Sequence, residues 1–228
     1  MKTNYNSIKI DNEEYLRFPI KTKILMPGDD MLEIIETSTR GFLEPGDIIT
    51  ISESPLAITQ GRAIPVKDIK VSLLANILWR FVSKVKYGIG LRAPTSMQCA
   101  IDEVGGCRIL FAAIVGGLAR LIGRRGKGDF YRIAGMQAAL IDAAFTSPVP
   151  LYDKCVIKGP SQPAKEAQRL KDKLGNECAV MDINDIGGCW MIGGSDGIDK
   201  AFMEKVMKDN PQGQADELTP ICLVRKKK

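Results

Sequence analysis

The stretch from Phe18 to Arg62 constrains the fold of this chain more than any other part of it. Two turn signals divide it, Gly28-Asp29-Asp30 and Gly46-Asp47. Glycine adopts turn conformations that other residues disfavour, and aspartate caps the helix that follows. The residues after the first turn therefore predict a helix over 31–37. The β-branched run after the second turn predicts a central strand over 48–52.

Strand and helix signals alternate through the rest of the chain. Further strands are predicted at 6–10, 18–26, 177–182, 190–194 and 221–225, and further helices at 70–85, 163–174 and 199–208. This pattern predicts an α+β fold with mixed sheets and interleaved helices. The length of 228 residues suits a single unit, 1–228, or two intimate subdomains divided as 1–86 and 87–228.

The chain contains no histidine, and this narrows the chemistry open to it. Ser-His-Asp and Cys-His nucleophile systems are excluded, as are zinc and iron sites that are ligated by histidine. An enzyme of this composition has to use carboxylates, Lys or Arg, backbone amides, or a hard cation such as Mg²⁺ or Mn²⁺ held by oxygen ligands.

The charge distribution gives little support for a nucleic-acid partner. The formal net charge is +5, but four of the positive charges lie in the last four residues, 225–228. Aromatic residues make up only 6% of the chain. Both features favour a solvated basic tail, so no nucleic-acid partner is predicted.

The cysteines and the N-terminus indicate the compartment. The six cysteines are scattered and form no C-x-x-C pair. The first residues are polar and lack the apolar core of a signal peptide. We therefore expect a reduced, cytoplasmic protein whose cysteines are buried and structural.

An apolar run over 107–122 is followed by a basic, glycine-rich loop at 123–128. The run is interrupted by Arg120 and is too short to span a bilayer, so no membrane span is predicted. A buried helix or strand is favoured, and an interfacial membrane segment is the alternative. The loop has neither the Walker A nor the Rossmann order, so it is either a solvated basic turn or an anion-binding loop.

Several carboxylates follow apolar runs. Asp182 and Asp185 lie at the end of a predicted strand and precede two glycines, and Asp142 ends a second apolar run. Strand ends are common positions for active sites, and carboxylate oxygens suit a hard cation that bridges phosphates. These three residues therefore predict a metal site. The alternatives are an Asx turn after the strand and a helix cap or a satisfied core carboxylate at Asp142.

Three polar residues of the opening stretch have two interpretations each. Asp29 and Asp30 either cap the predicted helix or face a ligand. Arg62, which follows Gly61, either forks onto a phosphate or forms a surface ion pair.

The order of these elements resembles the coenzyme F420-0:L-glutamate ligases, the gamma-glutamyl ligases of a deazaflavin coenzyme. The resemblance rests first on residues 18–62, with the proline-led strand, both Gly-Asp turns and the closing Gly61-Arg62. Shorter blocks follow in family order at 140–142, 160–174 and 183–188.

The resemblance implies a glutamyl-ligase-like fold and an intertwined homodimer. It also implies GTP-dependent formation of an amide between a small-molecule carboxylate substrate and L-glutamate, through an acyl phosphate. Mg or Mn would be held by Asp142 and Asp185. The residues expected near the nucleotide or coenzyme are Gly28, Asp29, Asp30, Gln60 and Arg62. No catalytic residue is assigned.

The chain departs from this family directly before Gly61. Ala57, Ile58 and Gln60 stand where the family has a Ser-Lys pair and a glutamate, so a hydroxyl, a cation and a carboxylate are lost together. Two hypotheses follow: a divergent metal- and nucleotide-dependent ligase, or a non-catalytic binding relative. A protein held at a membrane surface through residues 108–127 is a third.

Overall fold

A computed structural model describes residues 5–82, 90–123, 128–184, 187–213 and 215–227. They form a mixed α/β structure that divides into two compact units. Unit 1 comprises Met1–Gly61 and Pro160–Lys228, and unit 2 comprises Arg62–Gly159. Unit 2 is therefore an insertion in the chain of unit 1. This division differs from the expected one at 86 and 87, because the segments before and after unit 2 share one sheet.

Unit 1 is built on a six-stranded mixed sheet. In spatial order its strands are β1 (Asn6–Ile10), β2 (Glu13–Ile20), β8 (Ile221–Lys226), β3 (Ile48–Ser52), β6 (Glu177–Ile183) and β7 (Cys189–Gly194). The neighbours β3 and β6 are parallel, and all other neighbouring pairs of this sheet are antiparallel. The strand predicted at 48–52 is thus confirmed as a central one.

Four helices accompany this sheet: α1 (Met31–Ser38), α2 (Glu53–Thr59), α8 (Pro163–Leu174) and α9 (Lys200–Val206). The Asp30 side chain caps α1 by accepting from the backbone N–H of Leu32, and Asp199 caps α9 in the same way. The helices predicted at 31–37, 163–174 and 199–208 are confirmed. The helix α2 was not predicted.

Successive strand residues point to opposite faces of the sheet, and helices cover both faces. On one face Ala179 and Met181 of β6 form a core with Met203 and Val206 of α9. On the other face α8 lies against β7 at Gly193. A Cβ there would stand 2.4 Å from the backbone nitrogen of Ala164, so glycine permits this close approach.

One predicted strand was wrong. The segment 18–26 is not a strand along its length, because β2 begins at Glu13 and ends at Ile20. Its position is decided by pairing with β1 on one side and β8 on the other. Alternation within the sequence could not reveal these long-range partners.

The second Gly-Asp turn anchors the sheet. Gly46 has a φ of 89°, which requires glycine, and the following Asp47 is only 1% exposed. Arg225 of β8 donates from Nε and Nη2 to the two carboxylate oxygens of Asp47, each at 2.7 Å. The Arg225 guanidinium also lies 5.2 Å from the ring centroid of Phe18 and 5.1 Å from that of Phe42.

This arrangement corrects the interpretation of the C-terminus as a solvated basic tail. The Arg225 side chain is 18% exposed and belongs to the interior of unit 1. Lys226 and Lys227 match the expectation better, because their side chains are more than half exposed and pair with Glu13 and Glu14 on the surface.

Unit 2 is mostly helical. Its elements are β4 (Ala63–Pro65), α3 (Leu73–Leu78), α4 (Pro94–Val104), α5 (Gly106–Leu121), α6 (Asp129–Ala134), α7 (Met136–Ala139) and β5 (Cys155–Ile157). The strands β4 and β5 pair in an antiparallel two-stranded sheet. Buried residues such as Leu91, Met97, Ile109 and Ala138 form the core between the helices.

The helix predicted over 70–85 is shorter and less buried than expected. It is α3 followed by a 3-10 turn at Trp79–Phe81, and residues 83–89 lie outside the described part of the chain. Leu73 and Phe81, which fall on one side of the predicted helix with its other apolar residues, are 77% and 66% exposed. The spacing of the apolar residues is that of an amphipathic helix. Much of the apolar side of this helix is nevertheless exposed to solvent.

The apolar run 107–122 forms the helix α5, and only one side of it is buried. Ile109 and Ala112 are fully buried, whereas Leu118 and Leu121 are 57% and 84% exposed. Among the described residues, no single helix has the length and apolar character needed to cross a bilayer. By length and composition alone, α4 and α5 pass as a pair bent by 116°.

We expect replacement of Arg225 by alanine to destabilise the protein by about 2–4 kcal/mol, because a buried carboxylate loses its main partner. Urea denaturation followed by circular dichroism measures the free energy of unfolding. The matched control is Lys227→Ala, which removes an exposed pair and should change that free energy little. Equal effects of the two substitutions would contradict the anchoring role of Arg225.

Candidate functional site

The first Gly-Asp turn lies against the end of α2. The backbone N–H of Gly28 donates to the carbonyl of Thr59 at 2.8 Å, and Gly28 has a φ of 90°. Asp29 accepts from the backbone N–H of Met26 and from Lys23. The hydrogen bond from Lys23 is the main reason that the pKa of Asp29 is lowered. The predicted neighbours Gly28 and Asp29 thus lie beside the residues that precede Gln60.

Asp30 caps α1, as expected, and its contact with a ligand stays a prediction. Besides capping α1, it accepts from Arg169 of α8 at 2.7 Å. Arg169 also forms a two-point contact with Glu166. The Arg169 hydrogen bond is the chief cause that lowers the pKa of Asp30, and Glu166 followed by Asp30 raises the pKa of Arg169. Arg169 was not predicted, because nothing in the sequence marks it among the other basic residues of α8.

Gln60 and Ser161 hold two distant segments of unit 1 together. The Gln60 amide donates to the Ser161 carbonyl at 3.1 Å and accepts from the Ser161 backbone N–H at 2.6 Å. The two preceding departures from the family pattern, Ala57 and Ile58, are 0% and 6% exposed. The side chains at these positions belong to the core and offer no polar group to a ligand.

Unit 2 contains a compact polar cluster, which we call the Arg62 cluster and define as Arg62, Glu103, Gln137 and Lys158. Arg62 donates to the carbonyl of Gly159 at 2.5 Å, to Glu103 at 2.6 Å and to Gln137 at 3.4 Å. Lys158 donates to the other oxygen of Glu103 at 3.3 Å. The side chains of Arg62, Glu103 and Lys158 are each 18–19% exposed.

The electrostatics of this cluster favour an anion. Burial is the largest influence on Glu103 and acts to raise its pKa, but Arg62 and Lys158 together outweigh it, so the pKa of Glu103 is lowered. Glu103 is therefore ionised at neutral pH, between two cations. One carboxylate and two cations leave a net positive charge in a largely enclosed space.

Asp142 lies in the same small sheet as Arg62. Its backbone forms an antiparallel bridge with Ile157 of β5, with hydrogen bonds of 2.9 and 3.1 Å. Ile157 pairs on its other side with Ala63 of β4. The next residues along are Arg62 and Lys158, which are joined by a backbone hydrogen bond of 3.0 Å. The backbones of Arg62 and Asp142, which are distant in the sequence, therefore flank two neighbouring residues, Lys158 and Ile157.

The other predicted metal ligands belong to unit 1. Asp182 lies in β6 opposite Trp190 of β7, and Asp185 lies outside the described residues. Asn184 closes the turn after β6, because its side chain accepts from the backbone N–H of Gly188 at 2.9 Å. Within the described residues, no group of three or more Cys, Asp or Glu side chains is arranged to hold a metal ion.

The thiols offer little nucleophilic character. Burial raises the pKa of Cys178 and of Cys222 to about 12 and that of Cys99 to about 11. These three match the expectation of buried structural cysteines. Cys107, at the start of α5, is exposed and does not.

Sequence reasoning missed most of the Arg62 cluster. Glu103 stands next to Asp102 near the end of α4, and Lys158 precedes Gly159 and Pro160. The sequence marks Lys158 only by its position two residues before the block at 160–174 that resembles the family. The basic loop at 123–128 cannot be compared with its prediction, since residues 124–127 lie outside the described part.

The comparison with protein families gives one match. The model of the F420-0:Gamma-glutamyl ligase family matches residues 19–196, more than three quarters of the chain. The matched range includes the whole of unit 2 and the larger part of the sheet of unit 1. No curated protein matches the chain.

We expect Glu103→Gln to lower the free energy of unfolding by about 1–3 kcal/mol at neutral pH, since two cations lose their shared anion. In an unfolded chain Glu103 titrates near 4.5, and folding lowers its pKa. Its stabilisation is therefore complete above that pH and is lost as the pH falls through the lowered pKa.

The difference between the parent protein and the variant should thus be constant near neutral pH and shrink below about pH 4. Denaturation at a series of pH values measures this difference. The control is Glu36→Gln on the exposed side of α1. A difference that grows on acidification would contradict the assignment.

Proposed function

Because the chain belongs to the F420-0:gamma-glutamyl ligase family, we propose that it joins a small-molecule carboxylate to L-glutamate through an amide bond. Gamma-glutamyl ligation in coenzyme F420 biosynthesis is the activity that this family implies. The match over residues 19–196 is the observation that carries the proposal. GTP as the phosphoryl donor, dependence on Mg or Mn, a homodimer and a cytoplasmic location are parts of the same proposal.

The proposed reaction has two steps. A carboxylate oxygen of the substrate attacks the terminal phosphorus of GTP, which releases GDP and leaves an acyl phosphate. The amine nitrogen of glutamate then attacks the acyl carbon, inorganic phosphate leaves, and the nitrogen gives up a proton. Both steps bring anions together, so the chain must supply positive charge that positions them without neutralising the nucleophile.

The Arg62 cluster is suited to this task. Glu103 is a carboxylate held between a guanidinium and an ammonium, and it shows how a ligand carboxylate or phosphate would be received there. Arg62 presents a planar fork and Lys158 a point charge. In our proposal a carboxylate or phosphate of the substrates displaces Glu103 from one or both cations.

The proposed metal ligands come from both units of the chain. Asp142 and Asp182 belong to different units, and Asp185 lies outside the described residues, so the described side chains do not make up a complete ligand set. Asp142, Asp182 and Asp185 stay predicted ligands.

A non-catalytic relative is the second candidate function. Its support is that Ala57 and Ile58 are core residues and that Gln60 is occupied in binding the Ser161 backbone. A protein of this kind would bind a nucleotide or a carboxylate ligand without turnover.

One experiment separates the two candidates. The pure protein is incubated with GTP or ATP, Mn²⁺ and the F420-0 carboxylate, with and without L-glutamate. Release of inorganic phosphate and the mass of the coenzyme are then measured. Glutamate-dependent phosphate release with a glutamyl-extended product supports the ligase. Calorimetric binding of nucleotide without any turnover supports the non-catalytic relative, and no binding of either nucleotide contradicts both.

We expect Asp185→Asn and Asp142→Asn to lower kcat by at least about tenfold if these carboxylates hold the metal. The measurement is the rate of phosphate release as a function of Mn²⁺ concentration. Asp216→Asn, at an exposed position, is the control. Rates and Mn²⁺ dependence equal to those of the control would remove these residues from the metal site.

We expect Arg62→Lys to raise the KM for the carboxylate substrate by about tenfold, because the charge is kept while the planar fork is lost. Steady-state kinetics measure KM and kcat separately. The control is Arg132→Lys, whose side chain is 75% exposed. An unchanged KM in a folded Arg62→Lys variant would show that Arg62 only supports the structure of unit 2.

A further inference from the structure

The helix α5 exposes a continuous apolar stripe. Phe111, Ile114, Leu118 and Leu121 recur at helical spacing and are between 52% and 84% exposed. Phe81 of the 3-10 turn, at 66%, and Ile122, at 75%, extend this surface. We call these six side chains the apolar face. An open groove of about 930 Å³ lies between Phe81 and α5.

This exposure is a property of the fold. The opposite side of α5 is already packed in the core of unit 2, because Ile109 and Ala112 there are fully buried. At Gly116 a Cβ would stand 3.2 Å from Phe130 of α6, which shows how closely the buried side is packed. Contiguous apolar surfaces of this kind mark sites of interaction.

The charges around the apolar face all have one sign. The described ranges 69–82, 90–101 and 104–123 contain five basic residues and no Asp or Glu, and the five are Lys70, Arg80, Arg92, Arg108 and Arg120. Arg120 donates to the carbonyl of Phe81 at 3.0 Å, so one cation lies at the groove itself. The chain has 27 acidic residues elsewhere, which makes their absence here a local property.

The carboxylates that border these ranges are Asp68, which is exposed, and Asp102, Glu103 and Asp129, which are engaged. Asp129, at the start of α6, pairs with Arg132 at 3.6 Å. Asp102 accepts from Gln98 of α4 at 2.7 Å, and Glu103 belongs to the Arg62 cluster. Cations balance the charges of Asp129 and Glu103, and the five basic residues of these ranges outnumber Asp68 and Asp102.

We propose that the apolar face docks onto an anionic lipid bilayer. In this arrangement α5 lies parallel to the membrane plane, with Phe111, Leu118 and Leu121 at the boundary between headgroups and acyl chains. Arg80 and Arg120 lie at the level of the lipid phosphates. An apolar stripe with only cations beside it is the pattern that binds such an interface, and each cation near the surface strengthens binding.

A second copy of the chain fits this surface less well. A two-fold dimer would set the face against itself, and the described cations would meet cations with no carboxylate between them. A nucleic acid would satisfy the cations but would leave the aliphatic side chains without an apolar partner. The bilayer satisfies both features. This inference does not depend on the ligase activity, but it requires that the homodimer proposed above leave the apolar face uncovered. Its test does not use enzyme activity.

The test uses the 228-residue protein and phosphatidylcholine vesicles with and without phosphatidylglycerol. We expect co-sedimentation with the anionic vesicles, weak binding to the neutral ones, and a loss of binding as the salt concentration rises. The double substitution Leu118→Glu with Leu121→Glu should lower the partition coefficient at least about tenfold. The control is Leu151→Glu, at another exposed leucine of unit 2, 54% exposed, which should bind as the parent does.

The charge contribution is tested separately. Arg80→Glu should weaken binding at least about fivefold, since it removes one cation near the surface and adds an anion. Lys205→Glu changes the net charge equally on α9 of unit 1, where the side chain is 60% exposed, and should have a smaller effect. Equal effects of the two variants would mean that only net charge matters, and would overturn docking through this face.

A probe on Cys107 gives a measurement that needs no change to the face. Cys107 is exposed at the start of the stripe, whereas burial raises the pKa values of the partly exposed Cys155 and Cys189. A solvent-sensitive fluorophore on Cys107 should shift to the blue with anionic vesicles, and the Cys107→Ser protein should show no such shift. An unshifted signal, or binding that Leu118→Glu with Leu121→Glu leaves intact, overturns the proposal.

Self-association is the other outcome to be distinguished. Light scattering after gel filtration measures the mass of the parent and of the Leu118→Glu, Leu121→Glu variant. If the parent does not bind anionic vesicles and the variant alone becomes monomeric, the face joins two copies of the chain and the membrane proposal is wrong.

Discussion

The structure of unit 1 depends on the contact between Arg225 and Asp47. A carboxylate that is 1% exposed needs a permanent counter-charge, and Arg225 supplies it with two hydrogen bonds of 2.7 Å. The same guanidinium lies over Phe18 and Phe42. It thereby ties the turn before β3, the strand β2 and the C-terminal strand β8 into one body. The insertion of unit 2 between β3 and β6 is compatible with this fold because those two strands still pair.

Unit 2 contains the polar groups on which the proposed reaction depends, namely the Arg62 cluster. Arg62 directly follows the boundary of unit 1 in the chain, and Lys158 is the second residue before the chain returns to it. Both reach Glu103 from a two-stranded sheet that also binds the backbone of Asp142. A cluster of this kind is held by backbone pairing, so its geometry does not depend on flexible side chains alone. Arg62 and Lys158, which are far apart in the sequence, thereby meet at the carboxylate of Glu103.

The Arg62 cluster and the apolar face, both in unit 2, differ in their physical character. The Arg62 cluster is largely enclosed, polar and net positive, which suits a small anion. The apolar face on α5 is open and apolar with cations around it, which suits an extended anionic surface. The helix α5 is apolar on both sides, so its composition is explained only when the partner of each side is known. The core of unit 2 explains Ile109 and Ala112, and the bilayer proposal explains Leu118 and Leu121.

The sequence by itself determined the α+β class, the helices at 31–37 and 163–174, the strand at 48–52 and the likeness to the ligase family. All of these follow from local features of the sequence: the spacing of apolar residues, the turn residues and the helix caps. The tertiary structure decided the position of β2, the exposure of one side of α5, the burial of Arg225 and the meeting of Arg62 with Glu103 and Lys158. The side-chain contacts among these join residues 41 to 178 positions apart, and β2 pairs with β8 from the other end of the sequence. Local periodicity carries no information on which distant segment will cover a given face.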